Sequence, residues 1–276
     1  MNSFDLRALG HFQGRKMKHL IFLGATFLLF FGQSFEIYAK KKTKEKVLKL
    51  ATIEWPPYVS GELDGKGWTS EVIKSAFKSQ GLKIRFAVIK GNNAWGRVLK
   101  GVKKGTFVGG YPAYYSEDRA QHYFFSRPLG KGPLVFFKRK GEKVSYDGDL
   151  ETLKKYKIGI VKDYYNGATF SKANYLTKKI FKSDRVSLVM LSKKRVDLVL
   201  LDKLVTEFHL KNDPYLKKLK LGIQAVEPPL ENKALHVAFS KKHKNGGKYL
   251  RVFNKGLNAI RENGELEKIL IKNKVK

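Results

Sequence analysis

The chain of 276 residues contains no cysteine. This excludes disulfides, thiolate metal sites, cysteine nucleophiles and the attachment of a lipid to an N-terminal cysteine. Histidine is scarce as well, since the chain has six, and no two of them have the HxxxH spacing typical of metal ligands. The sequence shows no internal repeat. We therefore expect neither a metal site nor a cofactor.

Long apolar runs are also rare, and the one that stands out lies near the N-terminus. Leu20–Phe31 is a run of 12 apolar or small residues that follows the basic segment Met17–His19 and precedes a small residue, Ala39. A membrane-spanning helix needs about 20 apolar residues, so this run is short for one. The pattern predicts a secretory signal peptide over 17–39, removed after Ala39, and leaves open whether translation starts at Met1 or at Met17. The alternative is an uncleaved membrane anchor.

Acidic residues are few: the chain has 24 Asp and Glu residues and 56 Lys and Arg residues, so its net charge is +32. Such an excess allows binding to nucleic acid. The basic residues are nevertheless scattered in small groups such as 40–42, 193–194 and 217–218, and an exported protein seldom meets nucleic acid. We predict a solvated basic surface that attracts anionic lipid or cell-wall polymer, and no nucleic-acid partner.

The chain after the predicted signal peptide contains two series of alternating strands and helices. In the first series, strands are predicted for 46–53, 82–89 and 106–110, with helices that begin near Thr69 and Trp95 and end at Gly81 and Gly105. The second series has a short helix at 150–156, a strand at 157–161, a helix at 166–181, an uncertain stretch at 186–191, a strand at 195–202 and a helix at 203–211. A strand at 234–242 and two closing helices follow. This rhythm predicts two α/β lobes with mostly parallel sheets.

Residues 107–128, "FVGGYPAYYSEDRAQHYFFSRP", place Arg119 within a dense group of aromatic residues. An arginine in such surroundings suits base stacking in a nucleic-acid binder, or a ligand pocket that holds a carboxylate. A third possibility is that Arg119 pairs with Glu117 or another acid at the surface.

The order of the motifs resembles one family. The sequence has "WPPY" after its first strand, then "GWTSEVIKSAF", "SEDR" followed by "FSRPL", "LKKYKIGIVKD", "RVDLVLLD" and "FNKGLNAIRENGELEKI". This ordered set resembles the bacterial extracellular solute-binding proteins of family 3, the polar amino acid class. The resemblance implies a type II periplasmic-binding fold with two lobes joined by two crossing hinge strands. It places lobe 1 at about 45–131 and 233–276, and lobe 2 at about 132–232.

The resemblance also implies a ligand site. Arg119 matches the arginine that grips a ligand carboxylate, and a guanidinium is suited to this because it donates two parallel hydrogen bonds and stays charged. Asp202 matches the acid that takes the α-amino group, although an Asp at this position is also an ordinary helix N-cap. Trp55 and Trp95 occupy positions for rings against the ligand, and either ring also suits a core position.

Two segments depart from the amino-acid binders of the family. Tyr111, Pro112 and Tyr114 stand where small hydroxyl residues are usual. Asp163, Tyr164 and Tyr165 stand where a Gly-Ser-Thr loop is usual. We expect these tyrosines to line and narrow the cleft, so that the ligand is an amino acid, another small carboxylate, a peptide fragment or an aromatic compound.

The sequence thus predicts a monomeric, non-enzymatic solute receptor of the periplasm that captures a small molecule by hinge closure and delivers it to an ABC permease. Two alternatives remain open at this point. One is a sensor that presents its closed state to a membrane signalling partner. The other is a dehydratase-like enzyme that uses Asp202 or Glu207 as its acid.

Overall fold

The computed structural model describes residues 47–219 and 222–275, so the predicted signal peptide lies outside the described residues. The strands are β1 Leu48–Thr52, β2 Ile84–Val88, β3 Gly109–Tyr114, β4 Tyr123–Phe125, β5 Gly130–Arg139, β6 Lys157–Val161, β7 Thr177–Phe181, β8 Leu198–Asp202 and β9 Ile223–Ser240. The α-helices are α1 Trp68–Lys78, α2 Ala94–Lys103, α3 Glu117–Ala120, α4 Ala168–Lys172, α5 Asp184–Ser192, α6 Lys203–Asn212, α7 Pro214–Lys218, α8 Gly246–Glu262 and α9 Glu265–Lys272. Short 3-10 helices lie at Asp64–Lys66 and Leu150–Leu153.

The first predicted series of strands and helices is present. Strand β1 pairs in parallel with β2 and with β3, and α1 and α2 are the helices that connect these strands. The apolar face of α1 is buried, including Val72, Ile73 and Phe77, as its helical spacing predicts. Strand β3 begins three residues later than predicted, at Gly109, and continues through Tyr114. Tyr111 and Tyr114 therefore belong to a strand that is buried along its whole length.

The second series differs from prediction at one element. The sequence predicts one helix over 166–181, whereas the structure has the short helix α4 followed by strand β7, which pairs in parallel with β6. The prediction was wrong because β7 is an outer strand with no buried residue, so it lacks the alternation of a half-buried strand. The uncertain stretch at 186–191 lies within helix α5, which begins after the N-cap Ser183.

Two long strands connect the two series. Strands β5 and β9 pair antiparallel from Gly130 opposite Leu235 to Arg139 opposite Ile223. The order of the strands is β2-β1-β3-β9-β5-β8-β6-β7, with β4 beside β9. One cluster of buried side chains spans 48–129 and 235–269 and includes Val205, and two further clusters span 134–226. The lobe boundaries near 131–132 and 232–233 stay a prediction.

The described residues contain neither a membrane-spanning helix nor a cluster of metal ligands. Within 47–219 and 222–275, no helix is both long and apolar enough to cross a membrane. Over the same ranges, no group of three or more His, Asp or Glu side chains is placed to hold a metal ion.

Candidate ligand-binding site

A small cavity lies where β1, β3, β5 and β8 come together. Its wall contains seven of the eight site residues that the sequence predicts. The complete lining is Ile53, Trp55, Trp95, Pro112, Tyr114, Arg119, Leu134, Tyr164, Tyr165, Asn166, Leu200, Leu201 and Asp202. The space open to a water-sized sphere is about 30 Å³, which is roughly enough for one or two waters. Five of the thirteen lining residues are aromatic, namely Trp55, Trp95, Tyr114, Tyr164 and Tyr165.

Arg119 lies in this wall and connects two of the chain segments that form it. Its backbone N–H is held by the N-cap Ser116, Nη1 donates to the Tyr114 carbonyl at 2.9 Å, and Nη2 donates to the Asp163 carbonyl at 2.8 Å. The guanidinium also lies over the Trp95 ring, 6.0 Å from its centroid. Burial lowers the pKa of Arg119 to about 10, so the side chain remains charged at neutral pH.

The partners of Arg119 decide between two of the interpretations drawn from the sequence. Within residues 47–219 and 222–275, Arg119 forms no ion pair with any carboxylate, so the expected alternative of a surface pair with Glu117 is not what the structure contains. A guanidinium has five N–H donors, and two carbonyls do not exhaust them. The arginine therefore keeps both its charge and N–H donors that these two bonds do not use.

Asp202 is the last residue of β8 and is 2% exposed. Its Oδ1 accepts the Val205 N–H at 3.0 Å and caps helix α6, so the N-cap interpretation is confirmed. Its Oδ2 accepts two phenol hydroxyls, from Tyr58 at 2.9 Å and from Tyr114 at 2.6 Å. Burial raises the pKa of Asp202 to about 6, and the bonds from Tyr114, Val205 and Tyr58 act in the opposite direction. A role toward a ligand amine stays a prediction.

The aromatic residues form the rest of the wall. Trp55 stacks on Tyr58 at 4.8 Å between ring centroids and meets Tyr114 and Tyr164 edge-on, each at 6.1 Å. Trp95 is buried at the start of α2 and also lines the cavity, so it is both a core and a wall residue. Such contacts bring rings from distant parts of the chain onto one site.

Tyr164 and Tyr165 use their hydroxyls differently. The Tyr164 hydroxyl donates to Asp184 Oδ2 at 2.9 Å. The Tyr165 hydroxyl donates to Glu231 Oε2 at 2.9 Å and accepts from Lys233 Nζ at 2.6 Å. The prediction that both residues lie at the cleft agrees with their place in the cavity wall.

The structure does not bring Tyr111 to the cavity. Successive side chains of a strand point to opposite faces, so Pro112 and Tyr114 of β3 face the cavity while Tyr111 faces the other way. Tyr111 is fully buried, its hydroxyl lies 3.0 Å from Ser70 Oγ, and its ring packs on Phe86. It is therefore a core residue in this conformation.

Sequence reasoning missed Tyr58. The residue belongs to the "WPPY" segment, of which only Trp55 was assigned to the site, yet its hydroxyl shares Asp202 with Tyr114. Burial and the charge of Asp202 raise the pKa of Tyr58 far above its ordinary value, so it stays a neutral donor. The sequence did contain a signal for it. Tyr58 is a second aromatic residue, three positions after Trp55, in the loop that follows strand β1 at the site.

The raised pKa of Asp202 predicts a pH dependence of stability. A carboxyl that binds its proton more tightly in the folded protein destabilises it as pH rises from the unfolded value of about 4 to the folded value of about 6. A shift of roughly 2 units corresponds to about 3 kcal/mol. An asparagine at this position can still cap the helix, but it does not titrate. The stability of Asp202→Asn relative to the parent should therefore increase as the pH rises from about 4 to about 7. Denaturant unfolding at several pH values measures this, and a stability difference that is constant over this range would contradict it.

The comparisons with known proteins agree with this architecture. The model of the bacterial extracellular solute-binding proteins, family 3, matches residues 48–274. A search of curated protein sequences found no match.

Solved structures share the fold. A histidine kinase sensor domain with similarity to periplasmic binding proteins has a TM-score of 0.71 and 18% identity, over 83% of this chain and 96% of that one. The GluR0 ligand-binding core from Nostoc punctiforme, in complex with L-glutamate, has a TM-score of 0.66 and 18% identity, over 83% of this chain and 100% of that one. The arginine-, lysine-, histidine-binding protein ArtJ from Geobacillus stearothermophilus has a TM-score of 0.65 and 21% identity, over 82% of this chain and 94% of that one.

These likenesses confirm the predicted fold, a two-lobed type II periplasmic-binding architecture in which α/β lobes are joined by hinge strands. At these identities they establish the fold alone. The family model establishes which family the chain belongs to, because its match extends over almost all of the described residues. The chain belongs to the bacterial extracellular solute-binding proteins of family 3.

Proposed function

We propose that this protein is a periplasmic receptor that captures a small carboxylate-bearing solute, an amino acid or a relative of one, and passes it to an ABC permease. The observation that carries the proposal is Arg119, a charged guanidinium with spare donors in the wall of a cavity surrounded by aromatic rings. Members of the fold that bind glutamate, arginine, lysine or histidine support an amino-acid-like solute. A monomeric state and the absence of cofactors and nucleic-acid partners stay predictions.

The contacts across the cavity suggest how capture works. Tyr58 and Tyr114 belong to the proposed lobe 1 and donate to Asp202 of the proposed lobe 2. Arg119 of lobe 1 likewise donates to the Asp163 carbonyl of lobe 2. A cavity of about 30 Å³ does not admit an amino acid, so the lobes must separate first. The hinge strands β5 and β9 allow such a movement, after which a solute binds between the lobes and favours renewed closure.

The proposal is tested by a thermal-shift screen of amino acids and small carboxylates, followed by small-angle scattering with and without the best ligand. A ligand at about 100 times its Kd should stabilise the folded state by about 2.7 kcal/mol. Bound and free protein should also differ in radius of gyration. If no carboxylate stabilises the protein, or if saturation leaves the scattering curve unchanged, capture by hinge closure is wrong.

Export is the part of the proposal that depends on residues outside the described ranges. Because residues 17–39 have the three parts of a signal peptide, the mature N-terminus should be Lys40 or close to it. N-terminal sequencing of protein from the periplasm measures this. Full-length chain retained in the membrane fraction would instead support the uncleaved anchor.

A sensory role is the second candidate, and the histidine kinase sensor domain among the structural neighbours favours it. A receptor for transport and a receptor for signalling share the ligand site but differ in their membrane partner. Uptake of the labelled solute in cells that lack the gene separates the two roles. Lost uptake supports the permease, whereas normal uptake with a lost transcriptional response to the solute supports the sensor.

A further inference from the structure

One end of the first series of strands and helices is strongly basic. Strand β3 begins at this end with Gly109 and β9 finishes there with Ser240, whereas Tyr114, at the other end of β3, lines the small cavity. The basic end therefore lies away from the cleft. It is formed by the exposed side chains of Lys103 and Lys104 at the end of α2, Lys241, Lys242 and Lys244 in the loop after β9, and Arg251 in α8.

These side chains come from separate segments that are in contact. A Cβ on Gly105, just after α2, would lie 3.2 Å from a backbone nitrogen of the loop after β9, so the end of α2 meets this loop. In the same loop, Lys241 Nζ lies 5.2 Å from the centroid of the Phe124 ring in β4. A Cβ on Gly247 would lie 3.8 Å from both Phe124 and Arg251. The charges of the basic end therefore surround Phe124 on one continuous surface.

The charges of the basic end are not paired with acids in the described part of the chain. Within residues 47–219 and 222–275, none of its six side chains forms an ion pair. Basic residues elsewhere do, since Lys154 pairs with Glu151 at 3.6 Å and Lys203 with Glu227 at 3.1 Å. Like charges repel over a Debye length of about 10 Å. A partner that brings negative charge to this end is therefore bound favourably.

The partner that suits this surface is extended, anionic and partly apolar. None of the six side chains lines either of the two cavities in the described residues, so the surface is open and does not enclose a small anion. Phe124 is 38% exposed, and an apolar ring among lysines is typical of a lipid-interface site. Lys241 lies over one face of that ring, which disfavours stacking of nucleic-acid bases on it.

The sequence before β1 is also strongly basic. Residues 40–46, "KKKTKEK", contain five lysines and one glutamate and directly follow the predicted signal peptide. Their placement lies outside the described residues. Clusters of about four to eight basic residues are typical of segments and surfaces that bind anionic lipid headgroups. The mature chain therefore has the charge for such binding in its sequence as well as on the surface of the folded domain.

We propose that the basic end binds the surface of a membrane that contains anionic lipids, with the Phe124 ring at the interface. The cleft, at the other end of β3, then faces away from that surface and remains accessible to solute. This interaction goes beyond the proposed function, because it depends neither on the solute nor on the choice between a permease and a sensor as partner.

Co-sedimentation of the full mature protein with lipid vesicles measures the interaction. Vesicles of about 30% phosphatidylglycerol in phosphatidylcholine should bind the protein, and vesicles of phosphatidylcholine alone should not. Raising the salt from about 0.1 M to about 0.5 M should release the protein, because salt screens charges at a surface. Failure to bind the anionic vesicles at the lower salt, or equal binding to both kinds of vesicle, would overturn the proposal.

The triple variant Lys104→Gln, Lys242→Gln and Lys244→Gln locates the interaction. It should bind the anionic vesicles about 100-fold more weakly than the parent, because each basic residue near an anionic surface contributes about fivefold. The three side chains are exposed, and melting temperatures verify that the variant folds.

The matched control is the triple variant Lys193→Gln, Lys217→Gln and Lys218→Gln, at exposed positions of the second series. It removes the same charge and should change binding by less than about threefold, since charges beyond a Debye length from the membrane are screened. An equal loss in both triple variants would show that net charge alone attracts the vesicles and would overturn the assignment to the basic end. Binding of the parent to RNA but not to the anionic vesicles would overturn the lipid partner.

Discussion

Replacing Arg119 by alanine is expected to lower the affinity for a carboxylate-bearing solute by roughly 30- to several-thousand-fold. The bond between a guanidinium and a carboxylate in a partly dry cleft is charge-assisted, and its loss leaves the ligand anion desolvated without a partner. That loss amounts to about 2–5 kcal/mol, and 1.4 kcal/mol is about tenfold in Kd. The structure adds that Arg119 also anchors the Tyr114 and Asp163 carbonyls, so its removal weakens closure as well as ligand contact.

Two further variants make this measurement specific. Arg119→Lys should also bind poorly, because an ammonium keeps the charge but cannot donate two parallel hydrogen bonds. Arg85→Ala removes the same side chain at an exposed position of β2 and should bind as the parent does. Calorimetric titration with a ligand from the thermal-shift screen measures all three. Parental affinity in Arg119→Ala would show that the arginine is not part of the site.

Gly132→Ala is expected to weaken ligand binding by roughly 30- to 1,000-fold. Gly132 lies on hinge strand β5, and a Cβ at this position would lie less than 3.0 Å from Tyr114 Oη, Asp202 Oδ2 and Tyr58 Oη. The methyl group occupies the space in which the two phenols meet the carboxylate. Losing both hydrogen bonds to a buried charge costs the closed state on the order of 2–4 kcal/mol, and 1.4 kcal/mol is about tenfold in affinity.

The effect should be on closure and not on folding, because the displaced groups can face water when the cleft is open. Scattering from the ligand-saturated variant should therefore remain more expanded than scattering from the saturated parent. Gly247→Ala is a suitable control, since a Cβ there makes only ordinary contacts of 3.8 Å with Arg251 and Phe124. Full closure of Gly132→Ala with parental affinity would mean that the cluster around Asp202 does not support the closed state.

The sequence was a reliable guide where the pattern reflects burial. The apolar residues of helix α1 have the spacing of one buried face, and strand β8 is a continuous apolar run that is buried throughout. The helix predicted over 166–181 was wrong because strand β7 lies at the edge of the sheet and has no buried residue. Its sequence therefore lacks the alternation of apolar and polar residues that marks a half-buried strand. Its pairing with β6 is a tertiary effect that the local sequence does not encode.

For the site, residue type and motif order identified the wall but not the hydrogen bonds within it. Arg119 and Asp202 were expected to face a ligand, and both line the cavity. That Asp202 accepts hydrogen bonds from Tyr58 and Tyr114 depends on how distant segments fold together. Tyr111 was misplaced because the phase of a strand, which decides the face that a side chain takes, depends on where pairing begins.

A carboxylate-bearing solute is proposed to bind between the lobes with its carboxylate on Arg119. A crystal structure of the protein with the best ligand of the thermal-shift screen would show where the solute binds. We expect ligand density against the Arg119 guanidinium and beside Trp95, with the lobes closed around it. Ligand density elsewhere on the protein, with the Arg119 bonds to the Tyr114 and Asp163 carbonyls unchanged, would contradict it.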